Sequence, residues 1–543
     1  MIKLCVTPID MCPAMKVPTA RTSKTGSSEV FQARRVTQCR SPGRRRAGGA
    51  GVLALADQPR GTRAFGRLRS IVRRVLPLPL AAVLAAVLTG PAPAAGAPRC
   101  PAGGFAAGAA AADVTPRPPA NRTLADVHLG GYGFGAVRPA TWVRNRLYAR
   151  AVVIRCARSD RHRAVAFVAI DNQGMEVAYR TGPYGLLDIR RRAARATGIP
   201  VRAIVPATIH SHAGPDLIGA WGFVARWYLT QVRDGAVAAL RRAARAARPL
   251  RLSVGSANGR ALLHTQFDDP AIGSLDDPDA AVRVLRATDG RGRGVATLVA
   301  FAAHATVMGS RNTGASPDWP GALAARLERD RRRYGTVAVF EGAVGKTQPT
   351  VPDPPDAIAR RPEMQRPADP LDADGWKLRT YAARVAARVA QATRSAHTVR
   401  DAHLGARTSV LRSVVTNQLL FGLVTSGTVP RAGAPWTQAD AIATPVASVR
   451  VGDILISGSP GESYPAVANR VIRGVRAREH FFLGLAGDQL GYHIAPASQY
   501  PVAQREAELN GNDNTLFNAS PQIGDEITQL LLQGARRLAF EPR

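Results

Sequence analysis

Cysteine is scarce in this sequence, and none of it is arranged to bind a metal. The five cysteines are Cys5, Cys12, Cys39, Cys100 and Cys156, and no pair has the spacing of a zinc finger. Sulfur is therefore excluded as the ligand set of a metal site. If a leader carries away the first three, Cys100 and Cys156 remain. In an oxidising exterior they could pair and anchor the new terminus to the first strand hairpin.

Acidic residues are few compared with basic ones. The chain has 39 Asp and Glu against 73 Lys and Arg, a formal net charge of +34. Such an excess is typical of proteins that bind nucleic acid or anionic membranes. The arginines, however, are spread through helical segments such as Arg190–Arg192, without a zinc knuckle or basic residues interleaved with aromatics. We expect no nucleic acid as a partner. Peripheral contact with an anionic membrane stays open, and nothing indicates the oligomeric state.

Long apolar runs are missing except for one near the N-terminus. Residues 1–66 lack apolar periodicity and are predicted to be disordered, or to precede a true start codon near residue 66. Residues 67–97 join a basic segment, the apolar run Val75–Leu88 and small residues, the pattern of a secretory signal peptide. The run is shorter than the roughly 20 residues of a membrane-spanning helix. We predict a secreted protein whose folded domain spans residues 98–543.

Two glycine-containing stretches lack the features of a nucleotide site. Leu129–Gly133 has neither the preceding strand nor the following helix of a dinucleotide fold. Gly345-Lys346-Thr347 is not a phosphate-binding loop either, because Phe340 stands where the upstream glycine is needed. Neither stretch predicts a nucleotide ligand.

From Asp113 onward the apolar pattern alternates between strand and helix periods, which predicts one large α/β domain of mixed sheet and helices. The predicted strands are Tyr148–Cys156, Ala164–Asp171, Val201–Val205, Arg251–Gly255, Val282–Ala287, Gly294–Ala302, Val337–Phe340, Val449–Ile456 and Phe481–Leu485. The predicted helices are Pro183–Thr197, Tyr228–Ala246, a segment from Pro320 to Arg333, Trp376–Ser395 and Gln522–Leu538, with a surface loop over 349–374.

Potential metal ligands follow several of these strands. His210 and His212 come after the strand at Val201–Val205, and in extended backbone residues i and i+2 point the same way. His304, Glu462 and Tyr492 follow three later strands. Because sites form where the carboxyl ends of strands open into loops, two histidines and a carboxylate could meet as a catalytic zinc set.

Each of these residues also has an ordinary interpretation. His210 and His212 could be polar residues of a solvent loop, and His304 a hydrogen-bonded core histidine. Glu462 could simply face the dipole of the helix that follows it. Pattern and spacing alone leave the two interpretations open.

The sequence resembles the neutral, non-lysosomal ceramidases and their bacterial relatives over about residues 110–540. The matching segments, in order, are Asp113–Pro116 with Gly131–Gly133, Thr208–Pro215, Phe301–His304, Ile456–Glu462 and Gly484–Tyr492. The resemblance implies a single zinc-containing α/β hydrolase domain that cleaves the N-acyl amide of ceramide. It also implies that His210, His304, Glu462 and Tyr492 bind Zn²⁺, and that His212 lies beside the reacting amide.

The sequence departs from the family at three places. Gln348 stands where the family has a serine assigned to catalysis, and Lys346 replaces an acidic residue. Leu262–Gln266 replaces an Asn-Arg-Ser segment near the substrate. The smaller C-terminal β-sandwich of the family is expected to be absent.

Two functions are compatible with these residues. The first is a secreted zinc amidohydrolase of ceramide-like lipids, in which zinc lowers the pKa of a bound water that attacks the carbonyl. His212 would then handle the proton, Tyr492 or zinc would stabilise the oxyanion, and Gln348 would orient the substrate. The second is a diverged, non-catalytic protein that keeps the zinc and binds lipid.

Overall fold

The structure, a computed structural model, describes residues 96–543 except for 102–103, 134, 136, 159–161, 356–371, 433–441 and 512. The predicted disordered segment 1–66 and nearly all of the predicted signal segment 67–97 lie outside the described residues, so both stay predictions. Most of the loop predicted over 349–374 lies outside them too. Within the described residues, no helix has both the length and the apolar character to cross a membrane.

In the described part of the chain, a nine-stranded mixed sheet forms the centre of the fold. In chain order, eight of its strands are β1 Phe105–Asp113, β2 Tyr148–Cys156, β3 Ala164–Ile170, β4 Ile204–Thr208, β5 Arg248–Asn258, β6 Ala281–Thr288, β7 Gly294–Phe301 and β8 Thr336–Glu341. Their order across the sheet is β8-β7-β6-β5-β1-β2-β3-β4, and the short strand His397–Thr398 also pairs with β5. The pairs β3–β4 and β7–β8 are parallel, and the other neighbours are antiparallel.

A second sheet packs on one face of the first. It is formed by β9 Leu404–Ser413, β10 Ile442–Val451, β11 Ile454–Gly458 and β12 Glu479–Leu483, of which β11 and β12 are parallel. Successive side chains of a strand point to opposite faces. Accordingly Ala447 and Val449 enter the core shared with the first sheet, whereas Val446 enters the core beneath the C-terminal helix.

Helices cover the outer faces of both sheets. In chain order they are α1 Leu186–Thr197, α2 Arg226–Arg245, α3 Asp318–Glu328, α4 Arg331–Tyr334, α5 Ala373–Arg394, α6 Gln418–Ser426, α7 Pro465–Gly474, α8 Tyr500–Asn510 and α9 Ile523–Arg537. α1 and α2 pack together over β1–β4, α3 and α5 cover the other half of the first sheet, and α7 and α9 pack on the second sheet. The result is a helix–sheet–sheet–helix arrangement, which agrees with the predicted mixed α/β fold.

The predicted element boundaries are wrong in three places. Val201–Ala203 is a turn of 3-10 helix, and the strand begins only at Ile204. The predicted strand Val449–Ile456 is a hairpin, because Gly452 adopts a φ of +63° that turns β10 into β11. The helix predicted up to Arg333 is interrupted, since the first helix ends at Glu328 and the Asp330 side chain caps a new helix by accepting from the Arg333 N–H. All three errors are local turns that the residue pattern did not indicate.

The pairing of Cys100 with Cys156 is confirmed: the two residues form a disulfide. Cys156 is the last residue of β2 and lies opposite Phe105 in β1. The bond therefore fastens the segment that precedes β1 to the β1–β2 hairpin.

Candidate metal centre

The loops that follow β4, β8, β11 and β12 are hydrogen-bonded to one another. The Thr208 N–H donates to the Leu485 carbonyl, and the Gly484 N–H donates to the Glu341 carbonyl. The Ala486 N–H donates to the Ser459 carbonyl. All four of these strands belong to parallel pairs, and the ends of parallel strands open at one edge of a sheet. The fold therefore gathers at one place the loops that the sequence had marked by their polar residues.

The position of the His210 ring depends on an unusual backbone conformation and on a contact of its Nδ1 atom. Its φ is +53°, a left-handed conformation that is unusual outside glycine. The extended backbone assumed from the sequence is therefore wrong at this residue. The ring still faces the site, because Nδ1 lies 2.9 Å from the Gln173 carbonyl. On the next residue, Ser211 Oγ donates to the Ser316 carbonyl at 2.7 Å and pins the loop.

Three imidazoles and one carboxylate converge at this point. His212 Nε2 lies 3.4 Å from His210 Nε2 and 3.1 Å from His304 Nε2. Glu462 Oε2 lies 3.0 Å from His210 Nε2 and 3.6 Å from His304 Nε2. His210, His304 and Glu462 are buried, and His212 is partly exposed. The three histidines could hold a metal ion.

The donor set fits a metal cation. His210 Nδ1 and His304 Nδ1 face the backbone carbonyls of Gln173 and Val344, at 2.9 and 3.2 Å. Protonation at Nδ1 satisfies those carbonyls and leaves each Nε2 with a lone pair directed at the other ligands. Glu462 Oε2 faces the same point, 3.0 Å from His210 Nε2, and its charge opposes the effect of burial by raising the pKa of that ring. Lone pairs that face one another without a donor repel, and a bound cation relieves that repulsion.

The residues of the cluster differ in their charge at neutral pH. Burial alone would raise the pKa of Glu462, but the imidazoles of His210 and His304 lower it to about 2. Burial lowers the pKa of His304 to about 4, helped by His210. Burial, then His304 and His210, hold the pKa of His212 well below its usual range. At neutral pH, His304 and His212 are therefore neutral rings beside an ionised carboxylate.

Tyr492 reaches the cluster through a short strand pairing. Glu462–Ser463 and Tyr492–His493 form parallel two-residue strands, with Glu462 opposite Tyr492. Burial, with the charge of Asp513 adding, raises the pKa of Tyr492 well above its usual value. The hydroxyl is therefore protonated, and it donates to Asp513 Oδ1 at 3.3 Å. Tyr492 lies where it can approach a bound metal or a substrate oxygen.

Gln348 lies beside the cluster. The short strand Thr347–Pro349 pairs with Leu263–Thr265, and Gln348 lies opposite His264. Thr306 Oγ1 donates to Gln348 Oε1 at 2.8 Å, and Gln348 Nε2 lies 3.3 Å from His304 Nδ1. The oxygen of the amide is therefore held by the loop that carries His304, and its nitrogen lies beside the His304 ring.

Lys346, two residues earlier, points away from the cluster. Its ammonium is fully buried and pairs with Asp276 at 2.5 Å, over the ring of Phe267 at 4.4 Å from its centroid. Burial lowers the pKa of Lys346, and Asp276 opposes that shift. The lysine that replaces an acidic residue thus closes an internal ion pair beneath the strand of Gln348.

Sequence reasoning missed the residues that orient Glu462. Gln489 Nε2 donates to Glu462 Oε1 at 3.0 Å, and the Gln489 N–H donates to Asp488. Asp488 in turn accepts from both terminal nitrogens of the buried Arg431, which also pairs with Glu176. Gln489 and Asp488 belong to the loop after β12, so the same strand-end pattern could have identified them. Arg431 carries no such signal, because it lies far from any strand end.

The glycine-rich loop excluded as a nucleotide site covers His212. The Tyr132 ring contacts the His212 ring edge-on, with centroids 4.9 Å apart. Gly131 has a φ of +80°, and a Cβ there would lie only 2.2 Å from His212 Nδ1. A glycine is therefore needed for the loop to approach the imidazole.

Two cavities meet at the cluster. One, here called the apolar chamber, has a cavity volume of about 50 Å³ and is walled mainly by Ile218, Trp221, Leu420, Leu423, Val424 and Phe517. The other, the polar vestibule, opens to solvent past Tyr132, His264, Gln266, Thr306, Gln348 and Asp513. His212, Tyr492 and Asp513 line both cavities. The cluster therefore lies between an apolar and a polar compartment.

Solved structures share this architecture. A neutral ceramidase from Pseudomonas aeruginosa superposes with a TM-score of 0.61 and 19% identity, over 80% of this chain and 74% of its own. The chain has the neutral ceramidase fold. A ceramidase complexed with C2 gives the same TM-score at 18% identity, over 80% of this chain and 75% of its own. No protein-family model and no curated protein matches the sequence. The resemblance to ceramidases noted from the sequence is confirmed in the fold.

Proposed function

We propose that this protein is a zinc-dependent hydrolase of N-acyl amides, with ceramide-like lipids as substrates. The observation that carries the proposal is the position of three imidazoles and Glu462 between an apolar chamber and a polar vestibule. An amphipathic amide placed across this junction has its acyl chain in the chamber and its carbonyl at the cluster. Ligand pockets are mostly apolar with a few placed polar groups, as this one is.

His210, His304 and Glu462 are the proposed ligands, and Tyr492 lies beside them with its hydroxyl protonated. Nitrogen and carboxylate ligands of this kind suit Zn²⁺. When bound, zinc polarises a carbonyl and lowers the pKa of a water molecule. His212, neutral and at the edge of the vestibule, accepts the proton at Nε2 and passes it to the leaving amine. Tyr492 Oη donates a hydrogen bond to the oxygen that gains negative charge.

Gln348 is proposed to position rather than to react. An amide is no nucleophile at neutral pH, and Thr306 fixes this one by donating to its oxygen. Its amide nitrogen, in the lining of the vestibule beside the His304 ring, orients the substrate. The attack on the carbonyl therefore needs no serine at this position.

Secretion and membrane contact are part of the same proposal. The Cys100–Cys156 disulfide supports an oxidising compartment, since such bonds are rare in reducing ones. Phe223, Leu419 and Leu516 are exposed apolar side chains close in sequence to residues that wall the apolar chamber. With the net charge of +34, they support peripheral contact with an anionic lipid surface.

The deciding test measures metal content and amide cleavage together. Zinc is quantified in the purified parent and in His304→Ala, and both are assayed on a ceramide. We expect about one zinc per parent chain, and loss of zinc and cleavage in the variant. His264→Ala is the matched control, because His264 lines the vestibule outside the histidine cluster. A parent that holds zinc but cleaves neither amides nor esters overturns the proposal.

A second candidate is a zinc-containing lipid binder without activity. The presence of Gln348 at the position of the family serine favours it. The discriminating variant is Gln348→Ser in the intact chain. Cleavage that arises only in this variant supports the binder, whereas cleavage by the parent chain excludes it.

A further inference from the structure

Asp513 lies at the junction of the two cavities. It follows α8 and Gly511, and it lines both the apolar chamber and the polar vestibule. Its Oδ1 accepts from the Tyr492 hydroxyl at 3.3 Å. The loop is held in place, because the Phe517 N–H donates to the Asp513 carbonyl and Asn514 Nδ2 donates to Tyr464 Oη at 2.8 Å.

The vestibule differs in charge from the rest of the protein. The chain as a whole carries a formal charge of +34. Among the described residues that line the vestibule, none is Lys or Arg, and Asp513 is the only carboxylate. The other polar residues there are the neutral hydrogen-bonding side chains Gln266, Thr306 and Gln348, together with histidines and tyrosines. An electropositive protein thus has a vestibule with a single fixed negative group.

We propose that Asp513 is a specificity residue that accepts hydrogen bonds from the head group of the amphiphile. It favours ammonium and hydroxyl head groups and disfavours phosphorylated ones. This inference rests on the proposed function in one respect, namely that the head group lies on the vestibule side of the cluster.

The chemistry of a carboxylate explains the preference. A carboxylate only accepts hydrogen bonds, so it pairs with the N–H of an ammonium or the O–H of an alcohol. Hydrogen bonds to a charged group are stronger than neutral ones. A phosphate brings two further negative charges and finds no Lys or Arg among the described lining residues to pair with. The alkyl chain is the same in each case, so any difference in affinity comes from the head group.

The test measures binding rather than turnover. Isothermal titration calorimetry measures the affinity for three ligands, dodecylammonium, dodecanol and dodecyl phosphate. Each ligand is titrated into the zinc-loaded full chain and into the same protein after chelation. In Asp513→Asn we expect dodecylammonium to bind about tenfold more weakly in both preparations, because the variant loses one charge-assisted hydrogen bond to the ammonium group. Dodecanol should bind within about twofold of the parent, which also shows that the chamber is intact.

Glu508→Gln is the matched control, since Glu508 is an exposed carboxylate on the neighbouring helix α8 outside the vestibule lining. The inference is overturned if Glu508→Gln weakens the binding of dodecylammonium as much as Asp513→Asn does. It is also overturned if dodecyl phosphate binds the chelated parent as tightly as dodecylammonium. A protein that cleaves no amide yet shows the Asp513-dependent preference refutes the proposed function and leaves this inference standing.

Discussion

His304 Nε2 lies 3.1 Å from His212 Nε2, yet the two rings differ in how they are held. His304 Nδ1 faces the Val344 carbonyl, whereas His212 Nδ1 is buried without a hydrogen-bond partner. The first ring therefore has a fixed tautomer, as metal ligands usually do. The second can carry its proton on either nitrogen. This difference supports the assignment of His304 as a ligand and His212 as the proton-handling group.

The first prediction separates those two roles. His212→Gln should retain most of the zinc while lowering kcat by about 10²-fold or more, the usual contribution of a general base. His304→Ala should lose zinc. Metal analysis and kinetics on one preparation check both outcomes, and equal zinc loss in the two variants would make His212 a ligand.

The second prediction concerns metal removal. If the cluster binds zinc only in the folded protein, chelation should lower the free energy of unfolding by about 2.7 kcal/mol at a free zinc concentration of 100 Kd. Thermal melts with and without chelator measure the effect, and added zinc should restore the parent. His304→Ala should melt alike in both conditions. A chelator effect that persists in this variant would place the metal elsewhere.

The third prediction tests the group that orients Glu462. Gln489→Leu removes the 3.0 Å hydrogen bond to Glu462 Oε1 while keeping the size of the side chain. Loss of such a partner typically weakens metal affinity about 10–100-fold. Competition with a zinc chelator measures the change. Gln504→Leu, on the exposed side of α8, serves as the control and should have the same zinc affinity as the parent.

The fourth prediction concerns the buried pair of Lys346 and Asp276. Lys346→Met leaves Asp276 as an uncompensated buried charge, which should destabilise the protein by about 3–5 kcal/mol. Adding Asp276→Asn should recover most of the lost free energy of unfolding, since the amide oxygen can still accept from Gln499 Nε2. Urea denaturation of the parent, the single variant and the double variant measures these free energies. Lys346→Asp should fold worse still because it sets two carboxylates together.

The fifth prediction is a pH dependence of stability. Burial, with Arg283 and Arg543 adding, lowers the pKa of His480 to about 4. Because the unfolded value is about 6.5, the neutral ring stabilises the fold fully above pH 6.5, and this contribution is lost as the pH falls towards 4. The amount is on the order of 3 kcal/mol.

His480→Leu should therefore show a flatter decline of stability between pH 6.5 and 4 than the parent does. Denaturation curves with chelator present measure this, because the cluster histidines then contribute equally to both proteins. Parallel declines in parent and variant would exclude His480 as the cause.

The sequence by itself determined the alternation of strands and helices and the residues that follow the strands. Apolar runs such as Tyr148–Cys156 are long and regular enough to identify β2 with its observed bounds. His210, His304, Glu462 and Tyr492 stand after strands, and sites in α/β proteins form at such ends. The family resemblance rested on the same short segments, because loops near a site depend on their particular side chains.

Only the tertiary structure decided which groups meet and how they are held. Glu462 and His210 are far apart in the chain. Hydrogen bonds among the loops after β4, β11 and β12 bring Glu462 Oε2 to 3.0 Å from His210 Nε2. Sequence patterns missed the αL backbone of His210, since a single dihedral leaves no periodic trace. They also could not show that Lys346 turns inward to Asp276 while Gln348, two residues on, reaches His304. Such pairings depend on contacts between distant segments, and those contacts exist only once the sheets have packed.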